Sequence, residues 1–156
     1  MSGSRNSLYI DAEGPDPEAI AEAIEWLSEL GREDTDRREA LLAVNTEEHL
    51  HREDVLATVI GERAVQQLEH NRPVRIGDVT IQLLTQGVDP RRQTAGPILA
   101  VYPDEELLDI LDRMHGVTDV LVVPWSRDEV EHWIAKWNPR QPGESPAQTG
   151  RRLWEE

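Results

Sequence analysis

The sequence predicts a three-layer α/β sandwich built on a mainly parallel sheet of five or six strands. Short, uninterrupted apolar runs alternate with amphipathic helical patterns, most clearly within residues 96–137, where the apolar runs 98–102 and 119–123 each precede a helical pattern. Strands that are apolar at every position are typical of parallel sheets with helices on both faces. We therefore expect these two runs to be adjacent, or one strand apart, at the centre of the sheet.

The chain begins with a similar strand and helix. Residues 7–10 form a short strand candidate, and a helix is expected to begin after Asp16, a suitable N-cap, with Pro17 at its first position. Its apolar residues recur at helical spacing, and Gly31 has the character of the residue that follows a helix. The sequence therefore predicts that this helix ends before Gly31.

The middle of the chain is expected to add a second strand, a helix and a hairpin. Residues 40–44 read as a buried strand, and a helix is predicted from about 53 to 70. Gly61 weakens this helix by about 1 kcal/mol relative to alanine, which leaves a break at that position open. Residues 74–76 and 79–84 resemble the strands of a tight hairpin. Apolar and polar residues alternate along 79–84, which indicates a strand at the edge of the sheet.

The order of these elements corresponds to a Rossmann-like sandwich in general architecture only. Parallel strands joined by helical crossovers are the economical assembly, but the glycine-rich dinucleotide fingerprint and the P-loop are both absent. We assign residues 1–138 to a single α/β domain. Residues 139–156 are rich in proline, glycine and polar side chains, and we expect them to form a flexible tail.

Composition narrows the range of functions. The formal net charge is −15, with 31 acidic against 16 basic residues, so general binding to nucleic acid is not expected. Cysteine is absent, which excludes disulfides, a thiolate nucleophile and cysteine-based metal sites. No apolar run reaches the roughly 20 residues of a membrane-spanning helix. We expect a cytoplasmic protein without membrane association, and the sequence identifies no cofactor.

Candidate ligand-binding residues follow the predicted strands. In open parallel sheets, ligands bind beyond the carboxyl ends of the strands. The residues that occupy these positions are Asn45, Thr46, Tyr102, Asp104, Trp125 and Ser126.

Carboxylates near these strand ends raise the alternative of a magnesium site. Asp11, Glu13 and Asp104, together with Asn45, offer the oxygen ligands that Mg²⁺ prefers. Helix capping explains Asp104 equally well, as it does Ser126, which forms a capping box with Glu129. His49 and His51 would share one face only on a strand, and their region is helical in character. We therefore assign no metal ligand.

Two segments are candidates for contact with a partner. Arg91 and Arg92 lie in the long unpatterned stretch 86–97, and long loops inside compact domains are often functional. Leu153 and Trp154 form an apolar pair in the predicted tail, with no apolar neighbours to bury them. We expect residues 139–156 to be dispensable for folding and to contribute to association.

Two functions remain open. The favoured one is a non-enzymatic protein that binds another protein as an accessory or inhibitory component, consistent with the negative charge and the lack of catalytic motifs. The alternative is a small enzyme or a nucleotide- or metal-binding domain with its site at the carboxyl ends of the parallel strands. The sequence does not decide whether the protein is an enzyme, and a homo-oligomer is compatible with it.

Overall fold

Residues 6–86 and 96–139 are described by the computed structural model, and within them a six-stranded sheet carries helices on both faces. The strands and helices in chain order are β1 (Asn6–Tyr9), α1 (Pro17–Glu33), β2 (Glu39–Ala43), α2 (Val55–Ile60), α3 (Glu62–Glu69), β3 (Val74–Ile76), β4 (Val79–Leu84), β5 (Pro97–Val101), α4 (Glu105–Arg113), β6 (Asp119–Val123) and α5 (Arg127–Trp137). Two 3₁₀ helices, Thr35–Arg37 and Glu47–Asp54, lie before and after β2.

The strands lie in the order β1-β6-β5-β2-β4-β3. All neighbouring strands are parallel except β3 and β4, which form an antiparallel hairpin. β5 and β6 are adjacent, with Ile98 opposite Val120, as their uninterrupted apolar sequences predicted. The predicted three-layer, mainly parallel α/β fold is therefore confirmed.

Successive side chains of the inner strands enter two separate cores. Along β2, Leu42 belongs to the core shared with α1, α2 and α3, whereas Leu41 belongs to the core shared with α4 and α5. Leu99 and Ile98 of β5 divide between the two cores in the same way. Because both faces are covered, these strands need apolar residues at every position, which explains the continuous runs in the sequence.

The prediction that the first helix ends before Gly31 is wrong. α1 continues to Glu33, and the backbone N–H of its C-cap Asp34 donates to the carbonyl of Leu30. A Cβ atom at Gly31 would lie 2.5 Å from the carbonyl oxygen of Asp78, in the turn between β3 and β4. Glycine at this position therefore permits close packing between the helix and the turn, and it does not terminate the helix.

Replacing Gly31 with alanine should lower the free energy of unfolding by up to about 2 kcal/mol. Alanine gains about 1 kcal/mol in helix propensity, but overpacking against backbone costs about 1–3 kcal/mol. Urea denaturation measures the change, and Ala21→Gly, at an exposed position of the same helix, calibrates the propensity effect. A Gly31→Ala variant more stable than the wild type would show that the turn moves away at little cost.

The helix predicted over residues 53–70 is interrupted at Gly61, the position where the sequence left a break open. Gly61 separates α2 from α3 with φ 93° and ψ 150°, a conformation that is nearly exclusive to glycine. The preceding residues up to Asp54 form a 3₁₀ helix. Both short helices contribute buried side chains to the same core.

The hairpin of residues 74–76 and 79–84 is present, but β3 rather than β4 forms the edge of the sheet. The edge position predicted for 79–84 is therefore wrong, since β4 lies between β2 and β3. No helix in the described part of the chain has the length and apolar character needed to cross a membrane. The predicted tail lies outside the described residues from position 140 onward.

Candidate functional site

β2 and β5 are parallel neighbours in the sheet, but the connections that leave them run across the sheet in opposite directions. After β2 the chain passes through α2 and α3, on one face, towards the β3–β4 hairpin. After β5 it passes through α4, on the opposite face, to β6. The carboxyl ends of β2 and β5 therefore form a topological switch point, where open α/β sheets bind ligands. Asn45, Tyr102 and Asp104 all lie here.

Asn45 connects the ends of these two strands. Its side-chain Nδ2 donates to the carbonyl oxygen of Tyr102 at 3.2 Å, and its Oδ1 accepts from the backbone N–H of Asp104 at 3.0 Å. The residue is 8% exposed. A buried amide that satisfies two backbone groups across a crevice has a structural role by this geometry alone. These two hydrogen bonds, here called the Asn45 clamp, occupy polar atoms that a ligand would otherwise use.

Gln86, which the sequence did not identify as a site residue, completes this cluster from the end of β4. Its Nε2 donates to Oδ1 of Asp104 at 2.7 Å and lies 3.4 Å from Oδ1 of Asn45. Its backbone N–H donates to the carbonyl of Asn45 at 3.2 Å. The available signal was a polar residue just after a strand, but its significance depends on β4 lying beside β2.

Tyr102 and Trp125 pack against each other above the ends of β5 and β6. Their rings form an edge-to-face pair with centroids 5.1 Å apart and an interplanar angle of 85°. Tyr102 is 2% exposed and has φ 52°, in the left-handed region that a bulky residue rarely adopts. Its hydroxyl accepts from the backbone N–H of Asp16, the N-cap of α1, at 3.3 Å. The aromatic pair therefore joins three elements and fills space at this end of the sheet.

The other predicted ligand-binding side chains form hydrogen bonds with residues close to them in the chain. Thr46 is exposed, and its hydroxyl lies 2.9 Å from Nδ1 of His49. Asp104 caps α4 by accepting from Leu107 N–H at 2.9 Å. Ser126 caps α5, although its hydroxyl accepts from Asp128 N–H at 3.3 Å rather than from the residue expected in a capping box. Capping therefore accounts for both side chains at helix starts.

The carboxylates that suggested magnesium do not converge. β6 lies between β1 and β5, so the strands followed by Asp11 and Asp104 are about 10 Å apart. His49 and His51 have different partners, the Thr46 hydroxyl at 2.9 Å and a Glu69 carboxylate oxygen at 3.0 Å. Within residues 6–86 and 96–139, no group of three or more histidine or acidic side chains is arranged to hold a metal ion.

The partner-binding candidates Arg91, Arg92, Leu153 and Trp154 all lie outside the described residues. Their assignment stays a prediction.

Replacing Asn45 with alanine should lower the free energy of unfolding by about 2 kcal/mol. The change leaves the Tyr102 carbonyl and the Asp104 N–H without their partner, and each unsatisfied buried group costs about 1–3 kcal/mol, less where water reaches it. Thr46→Ala is the matched control at an exposed neighbour, with an expected change within about 0.5 kcal/mol. Equal, small changes in both variants would show that the Asn45 clamp is not needed for stability.

The chain is thus an α/β sandwich whose switch-point residues bind one another. Comparisons with protein-family models, with curated proteins and with solved structures gave no match for this chain.

Proposed function

We propose that this protein acts without catalysis, by binding another protein that presents a basic surface, and that the outer face of α1 makes the contact. The observation that carries the proposal is a row of exposed glutamates along α1, here called the acidic stripe: Glu18, Glu22, Glu25, Glu29 and Glu33. The row spans about 22 Å at the rise of an α-helix.

The acidic stripe works against the stability of its own helix. Its members are three or four residues apart, the spacing at which side chains on a helix are neighbours, and each like-charge pair costs about 0.2–0.5 kcal/mol. The basic residue Arg32 of α1 is paired with Asp78 at 3.1 Å. A basic partner would turn this repulsion into attraction and would also accelerate association.

Trp26 supplies an aromatic anchor beside the acidic stripe. It lies four residues after Glu22 and three before Glu29, and it is partly exposed while packing against the core. Tryptophan residues at the centre of interfaces often contribute 2 kcal/mol or more to binding. An aromatic anchor bordered by charges resembles the usual organisation of protein interfaces, an apolar centre with a polar rim.

A charge-reversal experiment tests the proposal. The variant Glu22→Lys/Glu25→Lys/Glu29→Lys should lose the proteins that the wild type captures by cross-linking in its native cell extract. The matched control Glu106→Lys/Asp109→Lys/Glu131→Lys makes the same change in net charge on α4 and α5, at exposed positions. We expect the control to retain those proteins and Trp26→Ala to weaken their binding.

The proposal would be contradicted if both triple variants lost the captured proteins to the same degree. Binding would then depend on the net charge of the protein and not on the acidic stripe. Circular dichroism on all variants confirms that they fold. Retention of every captured protein by the α1 variant would also contradict it.

The alternative function, a ligand site at the switch point, has two observations in its favour. Asn45, Gln86 and Asp104 converge there, and Tyr102 has a left-handed backbone of the kind that clusters at functional sites. A thermal-shift panel of Mg²⁺, Mn²⁺ and nucleotides separates the two functions. A true ligand at about one hundred times its Kd adds about 2.7 kcal/mol of stability, and Asn45→Ala should abolish that gain.

A further inference from the structure

Basic and amide side chains line a surface cleft on α3 and the turn that follows it. The cleft has a volume of about 280 Å³ and is lined by Arg63, Gln66, Gln67, His70 and Arg72, hereafter the arginine cleft. No carboxylate lines it, although acidic residues outnumber basic residues by 31 to 16 in the whole chain.

Helical spacing places most of the arginine cleft on one face of α3. Its first four members occur at positions i, i+3, i+4 and i+7 from Arg63, which share a face of an α-helix. The buried residues Val65 and Leu68 lie on the opposite face. The polar face is therefore not required for packing α3 against the core.

Helix capping does not use the guanidinium group of Arg72. The carbonyl of Gln67 accepts the backbone N–H groups of His70 at 3.1 Å and Arg72 at 2.8 Å, and the carbonyl of Leu68 accepts Asn71 N–H at 2.9 Å. The carbonyl of Gln66 also accepts from His70, through its backbone N–H and its Nδ1. Because backbone donors and the imidazole satisfy these carbonyls, the Arg72 side chain remains available.

Arg63 stands in the first turn of α3, where the helix dipole disfavours a cation. Across the described residues, neither Arg63 nor Arg72 forms an ion pair with a carboxylate. Glu69, the nearby acid at the end of α3, binds His51 at 3.0 Å. No carboxylate of the described residues therefore holds either guanidinium group, although Glu62 directly precedes Arg63 in the chain.

We propose that the arginine cleft binds a phosphoryl oxyanion, either free phosphate or a phosphate monoester. Two guanidinium groups match the geometry of phosphate oxygens through paired N–H donors, and the carboxamides of Gln66 and Gln67 add neutral donors. A tetrahedral dianion has more acceptor oxygens than a carboxylate, so it uses this number of donors more fully. The site is independent of the α1 interaction proposed above.

Nuclear magnetic resonance titration tests the site in the full chain. The probes are inorganic phosphate, glycerol phosphate and acetate, each added at constant ionic strength to remove general screening effects. We expect saturable shifts at the Arg63 and Arg72 Nε–H and at the Gln66 and Gln67 side-chain amides, with acetate the weakest probe. Whichever phosphate compound binds more tightly identifies the source of the anion.

The variant Arg63→Gln/Arg72→Gln should weaken phosphate binding by at least about tenfold, because it removes two charge-assisted contacts. Arg113→Gln/Arg127→Gln removes the same charge from exposed positions on α4 and α5 and should bind as the wild type does. All four residues are exposed, so we expect both variants to keep the melting temperature of the wild type. That result excludes unfolding as the cause of any loss of binding. Unsaturable shifts, or equal weakening in both variants, would overturn the proposal.

Discussion

Replacing Asp119 with alanine should lower the free energy of unfolding by about 3 kcal/mol. Asp119 is 1% exposed at the start of β6, and its carboxylate accepts from Arg37 at 2.9 Å, Asn6 at 2.8 Å and Thr118 at 2.6 Å. Removing one partner of a buried ion pair costs about 3–5 kcal/mol. We expect the lower end of this range because Arg37 is 30% exposed and keeps a second contact with Asp34.

The matched control for this experiment is Asp78→Ala. Asp78 pairs with Arg32 at 3.1 Å, but the two side chains are 42% and 62% exposed, so the loss should stay below about 1 kcal/mol. Urea denaturation of both variants measures the difference. Equal losses would mean that the Asp119 network contributes no more than a surface ion pair does.

Replacing Trp133 with alanine should cost about 3–5 kcal/mol, because its ring is fully buried among α4, α5 and the sheet. Its indole Nε1–H has no hydrogen-bond partner among the described residues. Burying this unpaired donor already lowers the stability of the wild-type protein. Trp133→Phe removes that donor and keeps most of the ring, so the expected loss is less than about 1.5 kcal/mol.

The pair of Trp133 variants separates ring packing from polar desolvation. Chemical denaturation with an unchanged m-value establishes that both variants unfold as the wild type does. If Trp133→Phe lowers the free energy of unfolding as much as Trp133→Ala does, packing of the whole indole determines the stability. Removing the unpaired N–H then gives no measurable gain. A change below about 1 kcal/mol for Trp133→Ala would contradict the burial of the ring.

The inner strands could be predicted because a single physical requirement determines their sequences. β5 and residues 120–123 of β6 are buried on both faces, and a continuous apolar run fills both cores. The start of α1 could also be predicted, because Asp16 is a favourable N-cap residue and Pro17 follows it. In the structure Asp16 accepts from Ala19 N–H at 3.1 Å. Such features depend on residues next to each other in the chain.

Features that depend on distant residues could not be predicted. Gly31 has the local character of a helix end, yet its role comes from contact with Asp78 in another part of the chain. Asn45, Tyr102 and Asp104 were expected at the carboxyl ends of the strands, but their mutual hydrogen bonds depend on β2 lying beside β5. Gln86 was missed for the same reason, because strand order is not encoded in local pattern.

The pairing of β1 with β6 has a consequence for how the protein folds during its synthesis. Asn6 and Asp119 are hydrogen-bonded although 113 residues separate them. At about 5–20 residues per second, a ribosome needs roughly 6–23 seconds to make the intervening chain, and β1 has no strand to pair with during that time. Closing so long a loop also carries a substantial entropic cost. We expect β1 to join the sheet late, so that newly made chains carry an unpaired strand segment within reach of chaperones.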